Sequence, residues 1–169
     1  HPDFVAGLTL GFNFKNFDFS AFLFSSVGNE VFNYNKVFDV FGLFNSNVRK
    51  DVLTESFSAT NPNGTYPLLD VDDTFSQVPS SFYVEDASYL RLKSLQVGYT
   101  FPKFGKTFSS LRIYIQGQNL FTLTGYSGLD PAPSNFGVQD GINGDQWNGY
   151  DFGNYPANKI FMFGVNAAF

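Results

Sequence analysis

The chain has 169 residues, a formal net charge of −5 and a sequence pI near 4.6, so it lacks the basic surface that neutralises phosphates in nucleic-acid-binding proteins. It has no cysteine, which excludes disulfides, thiolate catalysis and cysteine-based metal sites. Phe is abundant at 23 residues, yet mean hydropathy is only −0.10. The apolar residues are therefore dispersed, and no run approaches the ~18 apolar residues of a membrane helix.

Two strands joined by a tight turn are predicted near the start of the chain, at residues 5–15 and 17–26. In the first strand, alternate residues form an apolar face, here called the apolar parity, which consists of Ala6, Leu8, Leu10, Phe12 and Phe14. The second strand follows the turn at Lys15 and Asn16 with the same alternation, although Phe22 and Phe24 blur its polar parity. A period of two predicts β-strands, and an apolar face opposite a polar one is typical of strands between lipid and a barrel lumen.

Two further strands are predicted at residues 87–101 and 111–122. In the first, every second residue from Leu95 onward is apolar and is predicted to face outward. The same alternation would place Arg91 and Lys93 on that apolar face. Either a β-bulge shifts the register near Lys93, or this half of the strand already stands above the bilayer. The inward parity of the two strands would line the barrel wall with Gln96, Thr100, Arg112, Gln116 and Gln118.

Residues 159–169 are predicted to form the last strand. Its apolar parity, which reaches the C-terminal residue, consists of Phe161, Phe163, Val165, Ala167 and Phe169. About ten residues are what a tilted strand needs to cross a bilayer. A terminal aromatic residue on such a strand resembles the signal read by the barrel-assembly machinery of bacterial outer membranes. Phe161, Phe163 and Phe169 are the candidate residues of that signal, and an ordinary sandwich strand is the alternative.

The connections between the predicted strands alternate between short and long. The short ones lie at residues 15–16 and 102–110, and the long ones at 27–86 and 123–158. Barrels have short periplasmic turns and long extracellular loops, so we expect the long connections outside the cell and the C-terminus in the periplasm. Five strands cannot close a barrel, so the remaining strands are expected elsewhere in a longer polypeptide. A soluble β-sandwich binding module remains an alternative.

Four segments carry a resemblance to a known family. They are 88–102 (SYLRLKSLQVGYTFP), 111–127 (LRIYIQGQNLFTLTGYS), 128–131 (GLDP) and 155–169 (YPANKIFMFGVNAAF). In order and spacing they resemble the C-terminal end of the SusC/RagA-type TonB-linked outer-membrane transporters. The resemblance extends to the first two strands and is weak between residues 34 and 81. Residues 157–159 depart from the Pro and Arg residues that are commoner in the family.

The resemblance implies an all-β fold, namely the last five antiparallel strands of a 22-stranded transmembrane β-barrel. The whole of residues 1–169 would belong to one barrel domain, and the plug that fills the barrel would lie outside this range. The resemblance also implies a TonB-dependent importer of oligosaccharides or oligopeptides in a Bacteroidetes-like outer membrane. Its partners would be a SusD-like surface lipoprotein, the TonB complex and membrane lipid. A barrel scaffold in a larger outer-membrane or secretion assembly is the alternative.

No catalytic or metal-binding constellation stands out, so neither enzyme activity nor a cofactor is predicted. His1 is the single histidine. The acidic runs at residues 70–73 and 140–145 contain oxygen ligands for a cation, but a solvated loop and an Asx turn explain them more simply. The aromatic residues of the connection 123–158 suit a sugar or peptide ligand, or else pack the loop. Trp147 is the first candidate for a ligand or partner contact, followed by Tyr126 and Tyr150.

Overall fold

The computed structural model describes residues 1–41, 47–70, 72–73, 76–102, 108–133 and 147–169. Strands dominate these residues: β1 Phe4–Phe14, β2 Phe17–Val27, β3 Glu30–Asn33, β4 Val84–Asp86, β5 Tyr89–Phe101, β6 Ser110–Gln118, β7 Thr122–Thr124, β8 Tyr150–Asp151 and β9 Ile160–Ala168. The described residues also form two short helices, α1 Lys36–Asp39 and α2 Lys50–Glu55, and a 3-10 turn at Ser81–Tyr83. Neither helix in the described ranges has the length and apolar character needed to cross a bilayer.

The chain divides into two compact units. The first, here the sheet unit, contains His1–Asn29, Ala87–Tyr126 and Pro156–Phe169. The second, here the loop unit, contains Glu30–Asp86 and Ser127–Tyr155, which are largely the two long connections. The long strands and most of the long connections thus fall in different compact units.

The sheet unit is an antiparallel sheet in the order β1-β2-β5-β6-β9, with β7 paired to β5 beside β6. The prediction of five long antiparallel strands is confirmed, because each predicted strand has a counterpart at nearly the same residues. The hairpin between β1 and β2 turns at Lys15 and Asn16, where Lys15 has a φ of 54°. The carbonyl of Asn16 accepts a hydrogen bond from the Thr100 N–H at 2.8 Å, which fixes the turn against β5.

A β-bulge in β5 resolves the ambiguous parity near Lys93. Phe22 pairs with Ser94, and the next residue of β2, Leu23, pairs with Leu92, so Lys93 is left over. Beyond the bulge the parity reverses, and Arg91 lies on the same face as its partner Phe24. The bulge hypothesis is therefore confirmed, because the register shift places Arg91 on the face opposite the apolar one.

The predicted strand 111–122 is broken rather than continuous, which corrects the prediction. It ends as β6 at Gln118 and resumes as β7 at Thr122. Between them, Asn119 adopts a left-handed conformation with a φ of 51°, and its N–H donates to the carbonyl of Lys93 at 3.2 Å. The break in β6 thus lies beside the bulge in β5, so both strands change register at the same level.

The loop unit contains a small sheet in the order β4-β3-β8, in which β3 and β8 are parallel. Its core consists of Val31, Val37, Val40, Val52 and Tyr83, each at most 3% exposed. The hydroxyl of Tyr83 donates to the carbonyl of Ser76 at 2.8 Å, and burial raises the pKa of Tyr83 to about 12. The described parts of the two long connections therefore share a packed core.

Candidate functional site

The sheet unit has one continuous apolar face. One row of paired residues crosses all five long strands and consists of Phe12, Phe19, Val97, Ile115 and Phe163. These five side chains are 36% to 69% exposed. The rows on either side are also largely apolar: Phe14, Phe17, Tyr99, Ile113 and Val165 form one, and Leu10, Ala21, Leu95, Gly117 and Phe161 form the other. An exposed apolar surface of this extent marks contact with a membrane or a protein.

Aromatic rings are concentrated at one end of this apolar face. Phe17 and Tyr99 meet edge to face at 4.7 Å between ring centroids, and Tyr99 meets Phe101 at the same distance. At the same end of the sheet, the ring of Phe169 lies 5.1 Å from that of Phe108. A band of aromatic side chains at a strand end is the pattern of a membrane interface in barrels.

The opposite face of the sheet is mixed in polarity and contains an ion pair that spans three strands. Arg112 on β6 donates to both carboxylate oxygens of Asp18 on β2, from Nε at 2.9 Å and from a terminal nitrogen at 2.5 Å. The intervening strand β5 carries Gly98 at this level, and a Cβ atom there would meet both side chains. The absence of a side chain at Gly98 therefore lets the pair close across β5.

Two of the candidate assembly residues lie on the edge strand β9, and Phe169 directly follows it. Phe161, Phe163 and Phe169 are 78%, 69% and 85% exposed, and all three lie on the apolar parity. The Ser109 N–H donates to the carbonyl of Ala168 at 2.9 Å, so backbone pairing continues almost to the C-terminal residue. Their role in assembly stays a prediction.

Glu85, which the sequence did not single out, lies in the loop unit and binds several polar groups. Its carboxylate accepts hydrogen bonds from Asn33 Nδ2 at 3.1 Å and from the N–H and Oγ of Ser127 at 3.0 and 2.8 Å. The ammonium group of Lys36 lies 2.9 Å from the same carboxylate and also donates to the carbonyl of Phe82 at 2.8 Å. Glu85 thereby links β3, α1, β4 and the start of the second long connection.

The hydrogen bonds to Glu85 determine its charge state. Burial alone raises the pKa of this carboxyl group, but hydrogen bonds from Lys36 and Ser127 outweigh burial and hold the pKa below its ordinary value. The carboxylate is therefore ionised at neutral pH, when it accepts from all three partners.

Two of the three predicted contact residues lie together in an aromatic cluster of the loop unit. The cluster consists of Phe32, Tyr34, Trp147, Tyr150 and Phe152, whose neighbouring ring centroids are 5.2 to 5.9 Å apart. Trp147 meets Tyr150 and Phe152 edge to face and is 37% exposed. Tyr126 lies instead in the sheet unit and is 6% exposed. Phe152 is 43% exposed, so Trp147 and Phe152 are the members of the cluster with the largest exposed fraction. A contact role for Trp147 and Tyr150 stays a prediction.

The acidic runs do not form a cation site in the described part of the chain, where no group of three or more carboxylate or histidine side chains could hold a metal ion. Asp70 Oδ1 accepts from the Asp72 N–H at 3.0 Å, and Asp73 Oδ1 accepts from the Ser76 N–H at 3.0 Å. These are local turn contacts. The run at residues 140–145 lies outside the described residues.

Comparison with known sequences shows similarity along the whole chain. It is 36% identical over 171 residues to TonB-dependent receptor P3 of Formosa agariphila, covering 99% of this chain and 16% of that protein. It is 30% identical over 176 residues to TonB-dependent receptor SusC of Bacteroides thetaiotaomicron, covering 99% of this chain and 15% of that protein. The chain thus spans about a sixth of the length of these relatives. No protein-family model matches it.

Solved structures show the same fold. The RagAB peptide importer in its open-open state superposes with a TM-score of 0.75 at 23% identity, covering 100% of this chain and 17% of the matched chain. A second structure, of the RagAB peptide transporter, gives a TM-score of 0.74 at 25% identity, covering 96% of this chain and 17% of the matched chain. Together these similarities confirm the resemblance seen in the sequence: the chain matches the C-terminal barrel segment of the SusC/RagA-type TonB-linked outer-membrane receptors.

Proposed function

We propose that this chain is the C-terminal part of the barrel domain of a TonB-dependent importer, and that the importer carries oligosaccharides or oligopeptides across a bacterial outer membrane. The observation that supports this most is the apolar face, in which exposed side chains of five paired strands form continuous rows opposite an ion-paired mixed face. Lipid on one side and a water-filled or plug-filled lumen on the other account for both faces.

The dimensions of the strands support a membrane-spanning role. β1 and β2 have 11 residues each. At ~3.3 Å per residue, such a strand is ~36 Å long. A tilt of about 40° leaves ~28 Å along the membrane normal, which covers the ~25 Å apolar band of outer-membrane barrels.

In the proposed orientation, the C-terminus and the Lys15 turn face the periplasm, and the two long connections are extracellular. The aromatic band around Tyr99 and Phe169 then lies at the periplasmic interface. The proposal assigns Trp147 of the aromatic cluster to contact with a glycan or peptide, or with a SusD-like lipoprotein lid, and the exposed surface of its ring supports this. The plug and the TonB-contacting segment belong to the longer polypeptide that the relatives imply.

Energy-dependent uptake by the whole receptor tests this proposal. Cells that carry the full-length receptor should accumulate a fluorescent oligosaccharide or oligopeptide, and inactivation of TonB should abolish the accumulation. Trp147→Ala should lower uptake at limiting substrate, whereas Phe57→Ala, an exposed aromatic of the same unit outside the cluster, should not. A correctly assembled receptor that imports neither substrate class with TonB active would favour the scaffold alternative.

A further inference from the structure

The charges of the chain are segregated between its two units. The loop unit contains thirteen of the 15 acidic residues but only three of the 10 basic ones, so its formal net charge is −10. The sheet unit, by contrast, has a formal net charge of +5. A field of one sign attracts ligands of the opposite charge and repels ligands of the same charge. The loop unit therefore favours cationic ligands over acidic peptides and acidic glycans.

The loop unit also contains a cavity of about 220 Å³, here called the acidic cavity. Its lining combines apolar side chains with carboxylates and includes Val40, Val52, Leu68, Leu69, Asp70 and Asp73. Val40 and Val52 are buried, whereas Leu68 and Leu69 are 57% and 49% exposed. The acidic cavity therefore has an apolar floor and an exposed rim.

The two carboxylates of the lining are oriented by backbone groups. Asp70 Oδ1 accepts from the Asp72 N–H, and Asp73 Oδ1 accepts from the Ser76 N–H, both at 3.0 Å. An N–H group orients a carboxylate but does not cancel its formal charge. Asp70 is exposed, so its carboxylate is accessible to a ligand that enters from the rim.

The nearest arginine in the sequence is paired outside the acidic cavity. Arg49 follows Val48, which lines the cavity. Its Nε donates to Asp51 at 3.1 Å, and a terminal nitrogen donates to the same carboxylate at 2.6 Å. Among the described residues of the lining, none is Lys or Arg. The charged side chains that line the described part of the cavity are thus acidic.

This lining is complementary to a lysine side chain. Lysine has a hydrocarbon stem, which suits the apolar floor, and a compact ammonium group, which suits a carboxylate at the rim. Arginine would use both oxygens of a carboxylate, but Asp70 Oδ1 already accepts from the Asp72 N–H. A sugar ring would bring hydroxyl groups onto an apolar floor that cannot bond them. A metal ion is a poorer occupant, because no group of three or more carboxylate or histidine side chains in the described ranges could hold one.

We propose that the acidic cavity binds a lysine side chain of an oligopeptide substrate, with the hydrocarbon stem over Val40 and Val52 and the ammonium group at Asp70. The inference rests on the proposed import function. It narrows the substrate class from oligosaccharides or oligopeptides to oligopeptides that contain lysine.

Peptide binding by the purified full-length receptor tests this inference. Fluorescence anisotropy gives the affinity for a labelled pentapeptide with one central lysine, and for the same peptide with norleucine, which keeps the hydrocarbon stem but has no charge. Asp70→Asn should weaken binding of the lysine peptide roughly tenfold, the effect of losing one hydrogen bond to a charged group. Binding of the norleucine peptide should not change. Asp72→Asn removes a carboxylate of the same acidic run that is not among the described lining residues, so this matched control should bind both peptides as the wild type does.

The lysine site is overturned if Asp70→Asn and Asp72→Asn bind the lysine peptide equally well while both melt at the wild-type temperature. It is also overturned if a glucosamine oligosaccharide binds more tightly than the lysine peptide. Uptake by cells separates this inference from the proposed function. TonB-dependent uptake that shows no preference for lysine over norleucine overturns the lysine site alone. Asp70-dependent binding of the lysine peptide without TonB-dependent uptake supports the site and overturns the import function.

Discussion

The ring of Tyr114 lies over Gly164 of the neighbouring strand, in the space that a Cβ atom at Gly164 would occupy. The two residues are direct partners across β6 and β9. The Arg112 guanidinium also lies over the Tyr114 ring, 4.7 Å from the ring centroid. Gly164 therefore makes room for a ring that is also held by the ion-paired arginine of the mixed face.

Gly164→Ala should destabilise the barrel, because the new methyl group displaces the Tyr114 ring from Gly164 and disturbs its contact with Arg112. We expect a loss of about 1–2 kcal/mol, within the range for overpacked sites. The measurement is the free energy of unfolding of the refolded full-length receptor in denaturant. Gly11→Ala is the control, since a Cβ atom at Gly11 meets nothing within 4 Å. Equal effects of the two substitutions would show that the Tyr114 contact has no energetic role.

The two faces of β9 should differ in their tolerance of charge. Phe163→Arg places a cation on the apolar face near the proposed bilayer midplane and should cost ~2–4 kcal/mol of barrel stability. Met162→Arg changes the adjacent residue, which lies on the mixed face, and should cost less. Unfolding titrations in lipid vesicles give both values, and similar losses would contradict a lipid-facing assignment of the Phe163 parity.

The proposed topology predicts which residues are reachable from outside the cell. Ser80 is exposed in the loop unit, and Lys15 is exposed in the tight turn of the sheet unit. On intact cells, an impermeant thiol reagent should label Ser80→Cys and spare Lys15→Cys, and both should react after the outer membrane is permeabilised. Labelling of Lys15→Cys alone on intact cells would invert the orientation.

The loop unit should loosen in acid because of Glu85. The pKa of Glu85 in the folded protein lies below the ordinary value of 4.5. The ionised Glu85 therefore stabilises the fold fully above pH 4.5, and this stabilisation is lost as the pH falls through the lower pKa of the folded protein. Lys36 is the charged group that faces it. Hydrogen exchange at Ser127, whose N–H donates to Glu85, should accelerate below pH 4.5 once corrected for intrinsic rates. Glu85→Gln should exchange faster at neutral pH and lack this pH dependence; an unchanged profile would exclude Glu85 as the cause.

Deletion of Phe169 should reduce the amount of receptor in the outer membrane more than it reduces the stability of assembled barrels. The expected reason is its candidate role in the assembly signal, since its ring contacts only Phe108 among the described rings. Phe108→Ala removes that contact and keeps the C-terminal residue, so it is the matched control. Abundance by quantitative blotting and melting temperature of the purified protein separate the effects. Equal abundance of the two variants would make Phe169 a packing residue.

The long strands could be predicted because their two-residue period persists over nine to thirteen residues. Even the bulge had a sequence signal, since Arg91 and Lys93 conflict with an otherwise apolar parity. The break at Asn119 had only a weak signal, which is the tolerance of Asn for a left-handed conformation. Its hydrogen bond to Lys93 at the bulge is visible only in the structure. The sequence predicted that Asp18 and Arg112 face inward, but it did not predict their ion pair. That contact depends on the strand register and on the absence of a side chain at Gly98.

The loop unit could not be predicted from local patterns. β3 has four residues and β8 has two, which is too short to show a period, and their pairing joins positions far apart in the chain. Glu85 shows no signal for the same reason, because its partners Asn33, Lys36 and Ser127 are separated from it in sequence. Trp147 was selected for its residue type, and its contacts with Tyr150 and Phe152 became visible only in the structure.

The parallel pairing of β3 with β8 has a consequence for chimaeric receptors. Phe32 pairs with Tyr150 and Asn33 with Asp151, so each long connection supplies one strand of the same ladder. Ser127, at the start of the second connection, is bonded to Glu85 at the end of the first. A graft that imports only one of the two connections from a relative would leave a strand and a carboxylate without their partners. An intact loop unit in a chimaera should therefore require both connections to be exchanged together.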